Sequence, residues 1–175
     1  ANIRVSIATM IHRKNLKEFD QFASLVQSKN VREWNVDVPS IAGRLGQNKD
    51  LWVSPSEAGP FLQYGYGGGL HSSEKNACCG AHLCAILANG NVCKCGLFSQ
   101  DPVGPIEEGL RVCWERIPRI ALNELNCHCE ELKDCRGGCR FRAIHFGGLL
   151  QPDFFQCYAR GVLRGGEQND DQKNL

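Results

Sequence analysis

Cysteine is absent from the first 77 of the 175 residues, and all eleven cysteines fall between Cys78 and Cys157. The absence excludes a disulfide or thiolate framework from the first half and divides the chain into two chemically different parts. No apolar run approaches the ~18–20 residues of a membrane-spanning helix. The opening ANIRVSIATMIHRKN does not have the layout of a signal peptide. Neither charge is in excess: 20 Lys and Arg against 19 Asp and Glu leave +1, with no basic block able to neutralise a run of phosphates. The expected partners therefore include neither nucleic acid nor membrane, and the expected compartment is a reducing cytoplasm. There, an odd set of closely spaced cysteines reads as metal or cluster ligation before disulfides.

In the cysteine-free half, Ile3, Val5 and Ile7 alternate with Arg4, Ser6 and Ala8, which predicts a strand over residues 3–9. Asn15 with Glu18 resembles a capping box, and Leu16, Phe19, Phe22, Ala23, Leu25 and Val26 recur at helical spacing, predicting a helix over residues 16–28. Trp34, Val36 and Val38 predict a second strand. Ser54-Pro55-Ser56-Glu57 places an N-cap, a proline and an N3 glutamate ahead of a helix running from Pro55 toward Leu62. Strand, helix, strand, helix implies parallel βα units. A chain that opens directly in a strand with an unprotected edge favours the trailing part of a larger α/β domain and predicts pairing there, for example a homodimer. Gly65 to Gly69 reads as a flexible joint, and residues 165–175, GGEQNDDQKNL, as a polar, disordered tail.

In the second half, Leu83–Leu87, Asn89-Gly90 and Asn91–Cys95 predict a hairpin with a type I′ turn, bringing Cys78 or Cys79 close to Cys95. A helix after Gly104-Pro105-Ile106 carries Leu110 and Trp114, four apart on one face, with core packing as the role of Trp114. The most specific run is Cys127-His128-Cys129 followed by Cys135-Arg136-Gly137-Gly138-Cys139, with Cys157 beyond. Four thiols in thirteen residues, with glycines that let the backbone turn around a centre, point to metal or iron–sulfur ligation. Cys84, Cys93 and Cys113 read instead as small buried hydrophobes.

These spacings resemble the C-terminal SPASM domain of radical SAM enzymes. Cys79, ten residues, Gly90, four residues and Cys95 match its first part; Cys129, five residues, Cys135, three residues and Cys139 match its second; Cys157 supplies its last cysteine. Cys127 departs, standing one residue from Cys129 where the family has two. The resemblance implies an α/β (α+β overall) architecture: residues 1–69 as the closing βα units of an incomplete TIM-like radical SAM barrel, residues 70–164 as a cysteine-rich auxiliary-cluster domain with a hairpin and short helices. It further implies two 4Fe-4S clusters. Cys79 or Cys78, Cys95 and Cys139, with a further ligand from Cys78 or Cys84, would hold the first; Cys127, Cys129, Cys135 and Cys157 would hold the second. Their implied roles are electron transfer or substrate binding during modification of a peptide, protein or cofactor precursor, in maturases of the quinone-cofactor and sulfatase type. An electron-donor protein and a peptide or protein substrate would be the partners of the parent enzyme. The Cys-x3-Cys-x2-Cys motif that binds the S-adenosylmethionine cluster does not occur in these 175 residues. The chain by itself is therefore expected to be inactive, with S-adenosylmethionine bound only in a full-length parent. The competing expectation is a zinc-binding four-cysteine interaction module, in which zinc takes the same thiolates.

Overall fold

The computed structural model describes residues 3–67, 76–78 and 80–164. Predicted features at Gly68, Gly69, Cys79 and 165–175 lie outside the described residues. The helices are α1 (Phe19–Ser28), α2 (Pro55–Ala58), α3 (Leu110–Arg116), α4 (Leu132–Cys135), α5 (Arg140–Ile144) and α6 (Phe154–Ala159). The strands are β1 (Ser6–Met10), β2 (Glu33–Asp37), β3 (Ala85–Ile86), β4 (Asn91–Cys93) and β5 (Gly104–Pro105). The architecture is mixed α/β. No helix among the described residues is long and apolar enough to cross a membrane. Two compact units divide the chain: the first comprises Ala1–Gly69 with Phe154–Leu175, the second Leu70–Asp153.

In the first unit β1 and β2 pair in parallel, from Ser6 with Glu33 to Met10 with Asp37, and α1 makes the crossover. The periodic apolar residues of α1 deliver Phe19 onto Trp34, the rings stacked 6.3 Å apart, while Phe61 and Tyr64 approach Phe19 at 5.1 and 5.7 Å. The buried Trp34 indole donates to Thr9 Oγ1 at 2.9 Å, so its one polar atom is satisfied inside the core. Burial of Phe19 and of Trp34 stabilises the unit by about 1.5–3 kcal/mol each, while Phe61 and Tyr64 are half-buried.

The helix predicted over 16–28 begins as a 3-10 turn, Leu16–Glu18, and becomes α-helical at Phe19. Asn15 makes no side-chain cap: its Oδ1 accepts from His12 N–H at 2.9 Å and its Nδ2 donates to Met10 O at 3.0 Å, fastening the exit of β1. The Ser54–Glu57 capping box forms as read, but α2 stops at Ala58 and continues as the 3-10 turn Gly59–Tyr64. Gly59 is required by close approach, since a Cβ there would lie 2.5 Å from Tyr158 Cβ and 2.8 Å from Phe155 O of α6. The expected joint begins as packed structure. Tyr66 exchanges two backbone hydrogen bonds with Trp34, 3.0 and 2.9 Å, and closes the free edge of β2.

The second unit contains an antiparallel sheet in the order β3-β4-β5. Ala85 faces Cys93 and Ile86 faces Val92. The hairpin exists, but its turn is not type I′: Leu87 O accepts from Gly90 N–H, Leu87 N–H donates to Asn91 O, and Gly90 has φ +81° while Asn89 does not enter the left-handed region. That pattern is a three-residue loop closed by a glycine bulge. In α3 Cys113 is buried, as expected of it, with Ile117 buried just past the helix end, whereas Trp114 is only half-buried and Leu110 is 47% exposed.

Candidate metal centre

The hairpin register brings three thiols into one neighbourhood. Cys84 immediately precedes β3, Cys93 ends β4 opposite Ala85, and Cys95 lies two residues on, the spacing at which a strand returns to the same face. Burial pushes the Cys93 thiol up, and the neighbouring Cys95 and Cys84 thiols push it further. Cys93 Sγ donates to Cys95 O at 3.1 Å, and fully buried Cys113 donates to Pro105 O at 3.3 Å; both are satisfied as protonated thiols. Cys84, which sequence pattern assigned to packing, therefore belongs to the same thiol group as Cys95.

Cys78 lies in an apolar cluster. It is fully buried with Ile120 and Leu125, and Cys127 packs against that cluster. Its N–H donates to Ile120 O at 2.9 Å. Cys78 thus shares an apolar cluster with a cysteine of the later loop, Cys127.

Cys127, Cys129 and Cys135 form the second group. Burial pushes the Cys127 thiol up; Arg140 acts against that, and Cys135 and Cys129 reinforce it. Cys135 ends α4, after which Arg136, Gly137 and Gly138 adopt φ of +52°, +77° and +69° in succession. This run of left-handed residues wraps backbone around the thiol, and Gly137 N–H donates to Cys135 Sγ at 3.4 Å. Gly138 has a packing reason too, since a Cβ there would sit 2.6 Å from Asp153. Arg136 ties the turn to the segment before Cys78 through two hydrogen bonds to Ala77 O, 3.0 and 2.6 Å.

Cys139 has different surroundings. Its N–H donates to Asp153 Oδ2 at 2.8 Å; burial pushes its thiol up, while Arg142 pulls it down and Asp153 raises it again. Arg142 and Asp153 form a buried ion pair at 2.7 Å. Arg140 is equally buried, 2% exposed, but its guanidinium donates only to main-chain carbonyls: Leu149 at 2.7 Å, Gln151 at 3.0 Å, Gly138 at 3.3 Å and, closest, Gly137. Among the described residues no carboxylate pairs with it. A buried cation without an anion is costly, and the thiol that feels its charge is that of Cys127. No spacing rule in the sequence marks Arg140, because its role arises from burial.

Cys157 stands on α6 in the first unit. No disulfide joins any of the ten described cysteines to another. Among the described residues no three His, Cys, Asp or Glu side chains converge as a metal cage. The fit to a thiolate-ligated centre is therefore one of donor type, N–H···S contact and charge, not of closed coordination geometry.

No family model matches the chain. Nor does any curated protein or solved structure match it significantly.

Proposed function

We propose that the second unit is an auxiliary iron–sulfur module of the SPASM type, working beside a radical SAM reaction, with the first unit as closing βα elements of the corresponding barrel. The observation that carries this reading is Arg140: a guanidinium buried with no carboxylate partner, whose field favours thiolate at Cys127. Cys127, Cys129 and Cys135 would supply thiolates to one centre. Cys95, Cys84 and Cys139 would supply them to another, with Cys79 from the motif. Such a group supplies one-electron transfer, or an open iron for substrate when one ligand is missing.

The chain's own residues prepare the ligands. Gly137 N–H bonds to the Cys135 sulfur, and an N–H···S contact favours the charged form of that ligand. The left-handed turn holds Cys135 apart from Cys139, and Asp153 fixes the backbone at Cys139 through its N–H. Both arginines lower the cost of gathering negative charge.

Anaerobic purification followed by iron, sulfide and zinc analysis tests the reading. About eight irons and eight sulfides per chain are expected for two four-iron centres. Zinc at one or two equivalents with no sulfide, from cells lysed without oxygen, would overturn it in favour of a zinc module.

A further inference from the structure

A cavity of about 630 Å³ in the first unit lies where the chain leaves β1, lined by Arg13, Lys49, Trp52, Val53, Ser54, Ser56 and Glu57. Its size falls in the range of small-ligand sites, about 300–1,000 Å³. Its position is also the expected one, because ligands of parallel α/β layers gather at the carboxyl ends of the strands. Arg13 follows β1 by three residues, and its N–H donates to Leu51 O at 3.2 Å, joining the strand exit to the Lys49–Leu51 turn.

We propose that this pocket binds a small organic anion, a phosphate or carboxylate joined to a flat ring. Two cations line it with most of their donors unused. Arg13 meets only Glu57, at the long distance of 3.5 Å. Lys49 Nζ has no oxygen partner among the described residues and rests 5.4 Å from the centre of the Trp52 ring. Trp52 supplies an aromatic wall whose plane is fixed by its indole N–H donating to Leu45 O at 2.9 Å.

Glu57 is the one carboxylate in the lining. It is engaged by Ser54 N–H at 2.8 Å and Ser54 Oγ at 3.0 Å, which leaves Lys49 and the outer face of Arg13 to an incoming anion. The short helix α2 contributes nothing to the anion, because its capping box already uses the amide of Glu57. The ligand is held by side chains, and the inference stands whether or not the second unit carries clusters.

Indole N–H resonances of the full chain, labelled at tryptophan and assigned with Trp52→Phe, provide the readout during titration with phenyl phosphate, benzoate, inorganic phosphate and phenol. A saturable shift of Trp52 with phenyl phosphate or benzoate is expected; the tighter of the two identifies the anionic group. Arg13→Ala and Lys49→Ala should each weaken binding about tenfold. The Trp34 resonance reports that each variant stays folded, and Lys49→Gln replaces any variant that moves it. The proposal is overturned by the absence of a saturable Trp52 shift, by binding that survives both substitutions, or by phenol or inorganic phosphate binding as tightly as the aryl anions.

Discussion

The two units bury opposite kinds of chemistry. The first closes around Phe19, Trp34, Phe61 and Tyr64, rings that gain from leaving water and whose polar atoms find partners close by. The second buries Arg140, Arg142, Asp153 and several thiols, groups that lose hydration and must be compensated. Arg142 is compensated by a carboxylate, whereas Arg140 has only carbonyl dipoles. An apolar core is complete as soon as it is packed, while a charged one stays incomplete until its last anion arrives.

The sharpest way to break this contrast is Asp153→Ala. It removes the carboxylate that pairs with buried Arg142 and should destabilise the second unit by about 3–5 kcal/mol. Urea unfolding followed at Trp114, which lies in that unit, measures the loss; a change below about 1 kcal/mol would mean that the ion pair is not a structural pivot. In the first unit, Phe19→Ala should cost about 3 kcal/mol or more through the cavity it leaves. Followed at Trp34, that cost should be indifferent to chelators.

Removal of metal or clusters separates the units further. If the second unit holds the proposed clusters, ligand binding and folding are coupled there, and chelation under anaerobic conditions should lower its stability and leave the Trp34 transition in place. Equal loss in both units would end the distinction. A smaller effect is expected from Gly137→Ala, which forces an alanine to φ +77° against Leu125 and Arg140 and should cost about 2 kcal/mol. Circular dichroism melts of the metal-free chain would register it.

Sequence pattern reached the elements whose signals are local. Ser54-Pro55-Ser56-Glu57 forms the box its spacing announces, and the alternation around Trp34 becomes β2. It failed where a side chain has a non-local or competing partner. Asn15 serves Met10 and His12 instead of capping a helix. Trp114, expected in the core, is only half-buried, because α3 turns Cys113 inward. At the candidate centre the cysteines were legible as donors, and Cys127, Cys129 and Cys135 fall together as their spacing implies, but the rest of the grouping was not legible. Cys84 joins Cys93 and Cys95 only through hairpin register, Cys78 is claimed by Ile120 and Leu125, and Arg140 becomes significant only once its burial is known.

The smallest effect is expected at the capping box, where the first unit uses charge at its surface. Ser54 N–H is the main reason that the Glu57 carboxyl lies below its ordinary value of 4.5, with the Ser54 hydroxyl and Arg13 adding to it against burial. A carboxyl whose folded value is lowered contributes stability that is fully present above its unfolded value and is lost as pH falls through the folded one. Glu57→Gln should therefore destabilise the first unit by a few tenths of a kcal/mol at neutral pH, since the side chain is 43% exposed and its charge interactions are screened. The difference from the parent should shrink as pH falls below about 4.5 and vanish once the parent carboxyl is itself protonated. Ser54→Ala removes the cap oxygen as well and should cost about 1 kcal/mol. Thermal melts across this range decide the point: a Glu57→Gln penalty that persists in acid would assign the box to shape and hydrogen bonding alone, and would leave charge as a stabilising device of the second unit only.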